Sequence, residues 1–301
     1  MNLFMRSIGF KGYGSKDEDT LIRRAISAGI KSDKLLRNDM HDRAMIVYGV
    51  SPSAGIAVFG HTDGDKFVYD THFPYLFTNR SVKEKEIIVF KNLTGESFCG
   101  ITEGGKDEMP RMFYISNPVD LLFEIDHRSS GPDQDYDAEG DGAFKQILLS
   151  DVSVSYSGLA IAASILLPAY DKEKFFKTKE QPEDAGGKDN KTEKPPLKEE
   201  SGFKVSPAMS TVKRAETEDI LSIVDTHIYP GGQVGEGYVV LGNITAIREE
   251  ENVISGQRFY IMTLQINDET IDVAVNTADV IGEPRVGRRF NARMWLHGYV
   301  M

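Results

Sequence analysis

Cysteine and tryptophan each occur once in this 301-residue chain, as Cys99 and Trp295. A lone cysteine excludes an intrachain disulfide and any thiolate zinc site within one chain, and it fits a reducing compartment. Long apolar runs are also missing, since nothing approaches the roughly 20 consecutive apolar residues that span a bilayer. The opening MNLFMRSIGF is broken by Arg6 and followed by Lys11, too short for the apolar stretch of a secretion signal. A cytoplasmic protein with no membrane segment is expected. Positive charge is in deficit as well: 35 Lys and Arg stand against 46 Asp and Glu, a formal net charge of −11. The split is 18 basic to 24 acidic residues in 1–170, 11 to 10 in 171–217 and 6 to 12 in 218–301. Nonspecific nucleic-acid affinity comes mostly from neutralising phosphates, so two acidic bodies argue against that role.

What the chain does have is a break in composition. Residues 177–200 read KTKEQPEDAGGKDNKTEKPPLKEE, with no aromatic and with Leu197 as the one large aliphatic. Such a segment buries too little apolar surface to offset its ordering entropy and is expected to be a flexible charged linker. It divides the chain into a body over 1–175, a linker over 176–215 and a smaller body over 216–301, each body large enough for a core.

Periodicity supplies the elements. Ser15-Lys16-Asp17-Glu18 has the capping-box pattern, and Leu21, Ile22, Ala25, Ile26 and Ile30 follow at helical spacing, predicting a helix over 16–30. Strands are predicted at Ala44–Val50, Gly55–Thr62 and Lys66–Thr71, the last two joined by a turn at Asp63-Gly64. A second hairpin joins Glu86–Lys91 to Glu96–Thr102. Arg111–Ser116 reads as a strand, with Asn117 as N-cap and Pro118 at the first position of a short helix. Val152, Val154 and Tyr156 alternate with serines before the apolar run Leu159–Leu167. The first body is therefore α+β with a mainly antiparallel sheet. In the second, Thr217 caps a short helix, four strands follow at Tyr238–Ile247, Arg258–Ile266, Thr270–Val275 and Arg289–Tyr299, and Thr277–Gly282 allows one helical turn. That order suggests a small β-barrel-like domain, OB-like or SH3-like, although an OB barrel needs a fifth strand. No internal repeat is visible.

Several motifs in fixed order resemble an uncharacterised protein family of clostridial bacteria. They are Phe4-Met5-Arg6-Ser7-Ile8-Gly9-Phe10, Phe73-Pro74-Tyr75, Met112-Phe113-Tyr114-Ile115-Ser116-Asn117, Ile165-Leu166-Leu167-Pro168, Ser222-Ile223-Val224-Asp225-Thr226, the run from Gly282 to Phe290, and Trp295-Leu296-His297-Gly298-Tyr299. The resemblance spans both bodies and weakens across the linker. It implies a bacterial cytosolic protein and brings no activity, cofactor or catalytic residue with it. The chain departs from the family's pattern in its Lys/Glu/Pro-rich linker and at His297, where an amide side chain is expected.

Each candidate site in the sequence has a plainer explanation. His61-Thr62-Asp63-Gly64-Asp65 with Asp70-Thr71-His72 suggests a metal hairpin, but if Asp63-Gly64 is the turn then His72 lies roughly 20 Å beyond His61 at about 3.3 Å per residue, and a solvated turn is preferred. The acidic loop 133–141 lacks a glutamate at the twelfth position of a calcium loop in either register, so it reads as solvated surface. Ile228–Gly237 is glycine-rich but precedes a strand, where a phosphate loop opens a helix. Cys99 sits in a predicted strand with no adjacent histidine, no Gly-x-Ser-x-Gly elbow exists, and Asp126-His127 reads as a surface pair. No metal and no cofactor is expected.

The last strand is the strongest surface candidate. Phe290, Ala292, Met294 and Leu296 share one face, and Arg289, Asn291, Arg293, Trp295 and His297 share the other. Arg289, Arg293, Trp295 and His297 are binding candidates, because such residue types concentrate binding energy. The competing account is internal, with Trp295 packed on the first body or the short helix and the arginines paired with acids such as Glu249, Glu250 and Glu251. The leading expectation is a non-enzymatic binding or adaptor protein using this surface, with a protein partner. An enzyme with a cleft in the first body is the alternative; it requires His61, His72, Asp70, Asp126, His127 or Glu96 to converge. Nucleic-acid binding through the barrel would require Arg285, Arg288, Arg289, Arg293 and Trp295 to form an exposed strip.

Overall fold

A computed structural model describes residues 3–32, 34–38, 43–64, 66–91, 98–102, 110–121, 147–168, 224–231 and 237–301. The expected linker, the helix after Thr217, the acidic loop, Glu96, Asp126-His127 and residues 232–236 of the glycine-rich segment lie outside the described residues. Strands dominate what is described, so the observed class is mostly β, with one long α-helix on the smaller of two sheets.

That helix, α1 (Ser15–Lys31), buries Leu21, Ile22 and Ala25, the face its spacing predicts. Its cap falls one residue earlier than the Ser15 pattern indicates. Gly14 is the N-cap, and its amide donates to Asp17 Oδ2 at 2.9 Å, which frees Glu18 to turn inward. Beneath α1 lies an antiparallel meander of β1 (Leu35–Asn38), β2 (Arg43–Gly49), β3 (Ala54–Asp63) and β4 (Lys66–Leu76), in that order. Asp63 pairs with Lys66, so the turn is one residue later than predicted, with Gly64 at φ 58° supplying the left-handed position. β4 runs on through Pro74, which this strand tolerates because it is the sheet's edge. Alternation sends Ile46, Ile56 and Val58 toward α1, and Met45, Ala57 and Phe59 toward the second sheet.

The second sheet is organised by two long strands, β8 (Ile147–Leu166) and β14 (Arg289–Val300), paired antiparallel from Val154↔Val300 to Leu166↔Arg289. Two three-stranded meanders hang on this pair: β5 (Val82–Lys91), β6 (Phe98–Thr102) and β7 (Met112–Ile115), and then β10 (Gly237–Glu251), β11 (Arg258–Ile266) and β12 (Glu269–Asn276). β9 (His227–Pro230) edges β10, and β13 (Val280–Ile281) adds to β8.

The pairings close two rings of five strands. In one, β10, β11 and β12 run antiparallel, β12 lies parallel to β8, and β8 pairs with β14, which returns to β10. In the other, β5, β6 and β7 run antiparallel, β7 lies parallel to β14, and β14 pairs with β8, which returns to β5. Each ring borrows the long strand that the other half of the chain contributes. The C-terminal strands therefore do not close a barrel by themselves: the missing fifth strand is β8, which precedes the expected linker.

The two halves repeat one plan of meander, short helical turn (118–121, then Thr277–Asp279) and long strand, a duplication that the residues do not display. Packing repeats with it. A Cβ on Gly158 would overlap Met294 of the partner strand and Val273 of β12, and a Cβ on Gly298 would overlap Val154 and Phe113 of β7.

One apolar core fills both rings and the facing side of the small sheet. Polar clamps fix its rim. Asp272, 2% exposed, accepts from Thr78 Oγ1 at 3.0 Å and Thr263 Oγ1 at 2.6 Å, joining the exit of β4 to β11 and β12. Arg80 and Arg248 lie 3.6 and 3.8 Å from its two oxygens, and these charges together with the two hydroxyl donors offset the desolvation of the carboxylate. Ser53 donates to Glu250, and Arg6 and Lys11 both reach Asp279.

Because neither ring is complete in 216–301, that fragment made alone should show no cooperative unfolding transition. Co-expressed with 1–175 it should copurify and regain one. A cooperatively folding monomer of 216–301 in calorimetry would contradict the shared-strand arrangement.

Candidate functional site

Serines on β8 make room where two sheets meet. Val152, Val154 and Tyr156 point into the rings, so Ser155 and Ser157 point toward the small sheet, where they are 4% and 3% exposed. Ser155 is too small to fill the gap it faces. A cavity of about 280 Å³ remains there. Leu36, Met45, Val47, Pro52, Ala57, Leu76 and Phe77 wall it from the small sheet, and Tyr75 and Tyr299 add aromatic surface. Ser53, Thr78, Ser116, Asp120 and Ser155 supply the polar part.

Asp120 is delivered by the turn after β7. Pro118 opens this helical turn as expected, and the Leu121 amide donates to the Asn117 carbonyl at 3.0 Å. The Asn117 side chain does not cap it, however. Its amide donates to the Val300 carbonyl at 2.7 Å, and its Oδ1 accepts from the Val300 amide at 2.9 Å, while Ser116 Oγ donates to the Gly298 carbonyl. The turn is thus pinned on the end of β14, and Tyr299 donates its hydroxyl to Asp120 Oδ2 at 3.2 Å.

Burial raises the Asp120 carboxyl above its ordinary value, and the Tyr299 hydrogen bond partly offsets this. Burial and the neighbouring Asp120 push Tyr299 upward, and burial pushes Tyr75 to about 12, so both phenols stay protonated near neutrality. Among the described lining residues there is no histidine, cysteine or lysine. The arrangement suits holding a small, largely apolar molecule by shape and a few polar contacts rather than attacking it.

The sequence-derived candidates scatter. Arg289 is 1% exposed at the start of β14 and donates to the Val224 carbonyl at 2.7 Å. Arg293 is exposed. Trp295 is half-buried, its ring 5.2 Å from Phe4 and 4.7 Å from Tyr114. His297 is fully buried beside Trp295, Tyr114 and Phe73. These four therefore share a strand face without forming one exposed surface. Arg285 and Arg288 pair with Glu283, and Arg258, not a β14 arginine, takes Glu249 and Glu251. The exposed basic and aromatic strip does not form.

His61 and His72 also part. His61 Nδ1 meets Asp70 at 3.0 Å, with Arg43 on the other carboxylate oxygen at 3.2 Å. His72 Nε2 meets Glu18 at 2.9 Å, and its Nδ1 meets the Tyr69 hydroxyl at 2.8 Å. Among the described residues, no group of three or more His, Cys, Asp or Glu could hold a metal.

Sequence reasoning missed Asp120, Ser155, Tyr75 and Tyr299. The serine alternation was a usable signal, but it reads as a solvated face until another sheet is known to cover it.

His297 carries a pH dependence. Neither ring nitrogen has a hydrogen-bond partner among the described residues, and burial lowers its pKa to about 3 from 6.5. The folded imidazole stays neutral while the unfolded one takes a proton below about 6.5. Its effect on stability is thus absent above that value and grows as pH falls toward the folded pKa. Between pH 7 and 5 it should cost about 2 kcal/mol, and His297→Phe should remove that loss. Urea unfolding at both pH values checks this, and an unchanged acid slope in the variant would contradict it.

No curated protein and no solved structure matches the chain. A family model described as a domain of unknown function from an E. rectale gene, DUF3881, matches residues 5–298. This match takes in β8, most of β14 and, apart from Phe4 and Tyr299 at its two ends, the motifs that resemble a clostridial family, and the chain belongs to the DUF3881 family.

Proposed function

We propose that this protein is a cytosolic, non-enzymatic binding protein that holds a small, largely apolar molecule in the cavity between its two sheets. The observation that carries this reading is the cavity itself, apolar on the small-sheet side and polar around Asp120 and Tyr299. It replaces the last strand's outward face as the binding element, because Arg289 and His297 are buried there. The ring of β10, β11, β12, β8 and β14 supports an OB-like description, with the fifth strand taken from the other half of the chain.

Ala57 on β3 lines the cavity and is 1% exposed, so Ala57→Leu should occupy the space a ligand needs. With the uncharged dye Nile red as probe, the wild type should bind one equivalent, and the variant should bind at least about tenfold more weakly while unfolding cooperatively. Equal binding by the two proteins would remove the cavity from consideration.

An enzymatic reading draws on one observation. Glu18, His72 and Tyr69 form a hydrogen-bonded chain beside an open groove of about 450 Å³ along α1. Burial lowers the His72 pKa, so a neutral imidazole accepts from the Tyr69 hydroxyl and donates to Glu18, an arrangement of nucleophile, base and orienting carboxylate. The signature would be ester hydrolysis abolished by Tyr69→Phe with the fold retained. Loss of hydrolysis confined to that variant would favour catalysis over binding.

A further inference from the structure

The polar groups of the cavity are not equivalent, and their differences narrow the ligand. Ser53, Thr78 and Ser116 each donate their hydroxyl to an acceptor elsewhere in the protein, which leaves Ser155 and Tyr75 as the lining hydroxyls free to meet a ligand among the described residues, both of them neutral. Asp120 is different. It is the single formally charged residue among the described lining residues, and its one hydrogen bond among the described residues comes from Tyr299 at 3.2 Å on Oδ2. No Lys, Arg or His ion pair reaches it among the described residues. A carboxylate has about four acceptor positions on its two oxygens, so most of its capacity is unused.

Half-burial without a countercharge leaves that capacity costly, and a ligand cation would relieve it. An anionic ligand meets the opposite situation: a carboxylate and no positive group among the described lining residues. A neutral hydroxyl could donate once to Asp120, but an ammonium donates through a full charge, and charge-assisted hydrogen bonds are about twice as strong as neutral ones. The aromatic wall adds to this, since Tyr75, Phe77 and Tyr299 present rings on which a cation is favoured over an anion. At about 280 Å³ the space lies at the small end of ligand pockets, and the apolar wall calls for an aliphatic or aromatic stem behind the head.

We infer that the molecule held in this cavity is a small amine, its ammonium head paired with Asp120 and its apolar stem laid against Met45, Val47 and Ala57. Tyr299 positions the carboxylate by holding one oxygen and leaving the other for the ligand. The inference rests on the proposal that the cavity binds a ligand at all.

Three probes of one size and different heads test it: hexylamine, hexanol and hexanoate, each titrated against Nile red bound to the full chain at pH 7. Hexylamine should displace the dye about tenfold more effectively than hexanol, and hexanoate should fail. Asp120→Asn keeps the shape and an oxygen for the Tyr299 hydroxyl. It should lose the preference for hexylamine while binding hexanol as before. Hexanol equal to or better than hexylamine, or an unchanged amine preference in Asp120→Asn, would overturn the amine while leaving the cavity reading intact. Displacement by none of the three from a dye-loaded protein would likewise overturn it. Failure of Nile red to bind the wild type would instead reject the cavity reading, and the amine with it.

Discussion

The antiparallel pair of β8 with β14 is the interaction on which the rest of this structure depends. Each ring needs both strands, and the two partners come from the middle and the C-terminal end of the chain. Backbone hydrogen bonds along the pair contribute only about 0.5–1.5 kcal/mol each, close to what ordering the residues costs. Closing the long connection between them costs a further ~4 kcal/mol. Burial on both faces decides the balance. Val152, Val154, Tyr156, Ala292, Met294 and Leu296 enter the common core, while Leu159 and Trp295 meet the N-terminal segment and the helix-covered sheet. Gly158 and Gly298 permit the close approach, since a side chain at either would strike the opposite long strand and the adjoining meander.

The same pair creates the site. On its outward side, large residues pack near Trp295 and His297, and the serines beyond leave a gap that the small sheet roofs. Asn117 clamps the end of β14 and places Asp120 at the gap's polar end. Cavity, carboxylate and phenol are thus by-products of how two halves of the chain share strands. His297 lies on the same outward face, inside the seal, and bears the penalty of a polar ring without hydrogen-bond partners among the described residues.

Much of the local structure was legible in the residues. Alternation located β2, β3, β10, β11, β12 and β14 closely, and 3.6-residue spacing located α1, because burial of one face enforces those periods. Turns and caps shifted by a residue, at Gly14 and Gly64, where local hydrogen bonds compete on nearly equal terms. Asn117 was placed correctly at a helix start, but its side chain serves β14 instead, a contact 183 residues away that no local rule contains.

By itself, then, the sequence determined most of the longer strands, which face of each is apolar, and that long apolar helical runs and an intrachain disulfide are absent, since these follow from composition and short-range period. It could not determine which strands pair. A strand's edge carries the same amides and carbonyls whatever its neighbour, and β8 offers no local mark that it completes a ring begun by β10. Only the tertiary structure could reveal the doubled ring, turn the serine face of β8 from a solvated surface into a cavity wall, and divide Arg289, Arg293, Trp295 and His297 between interior and surface. Side-chain alternation specifies two faces, and what covers each face depends on residues far away in the chain.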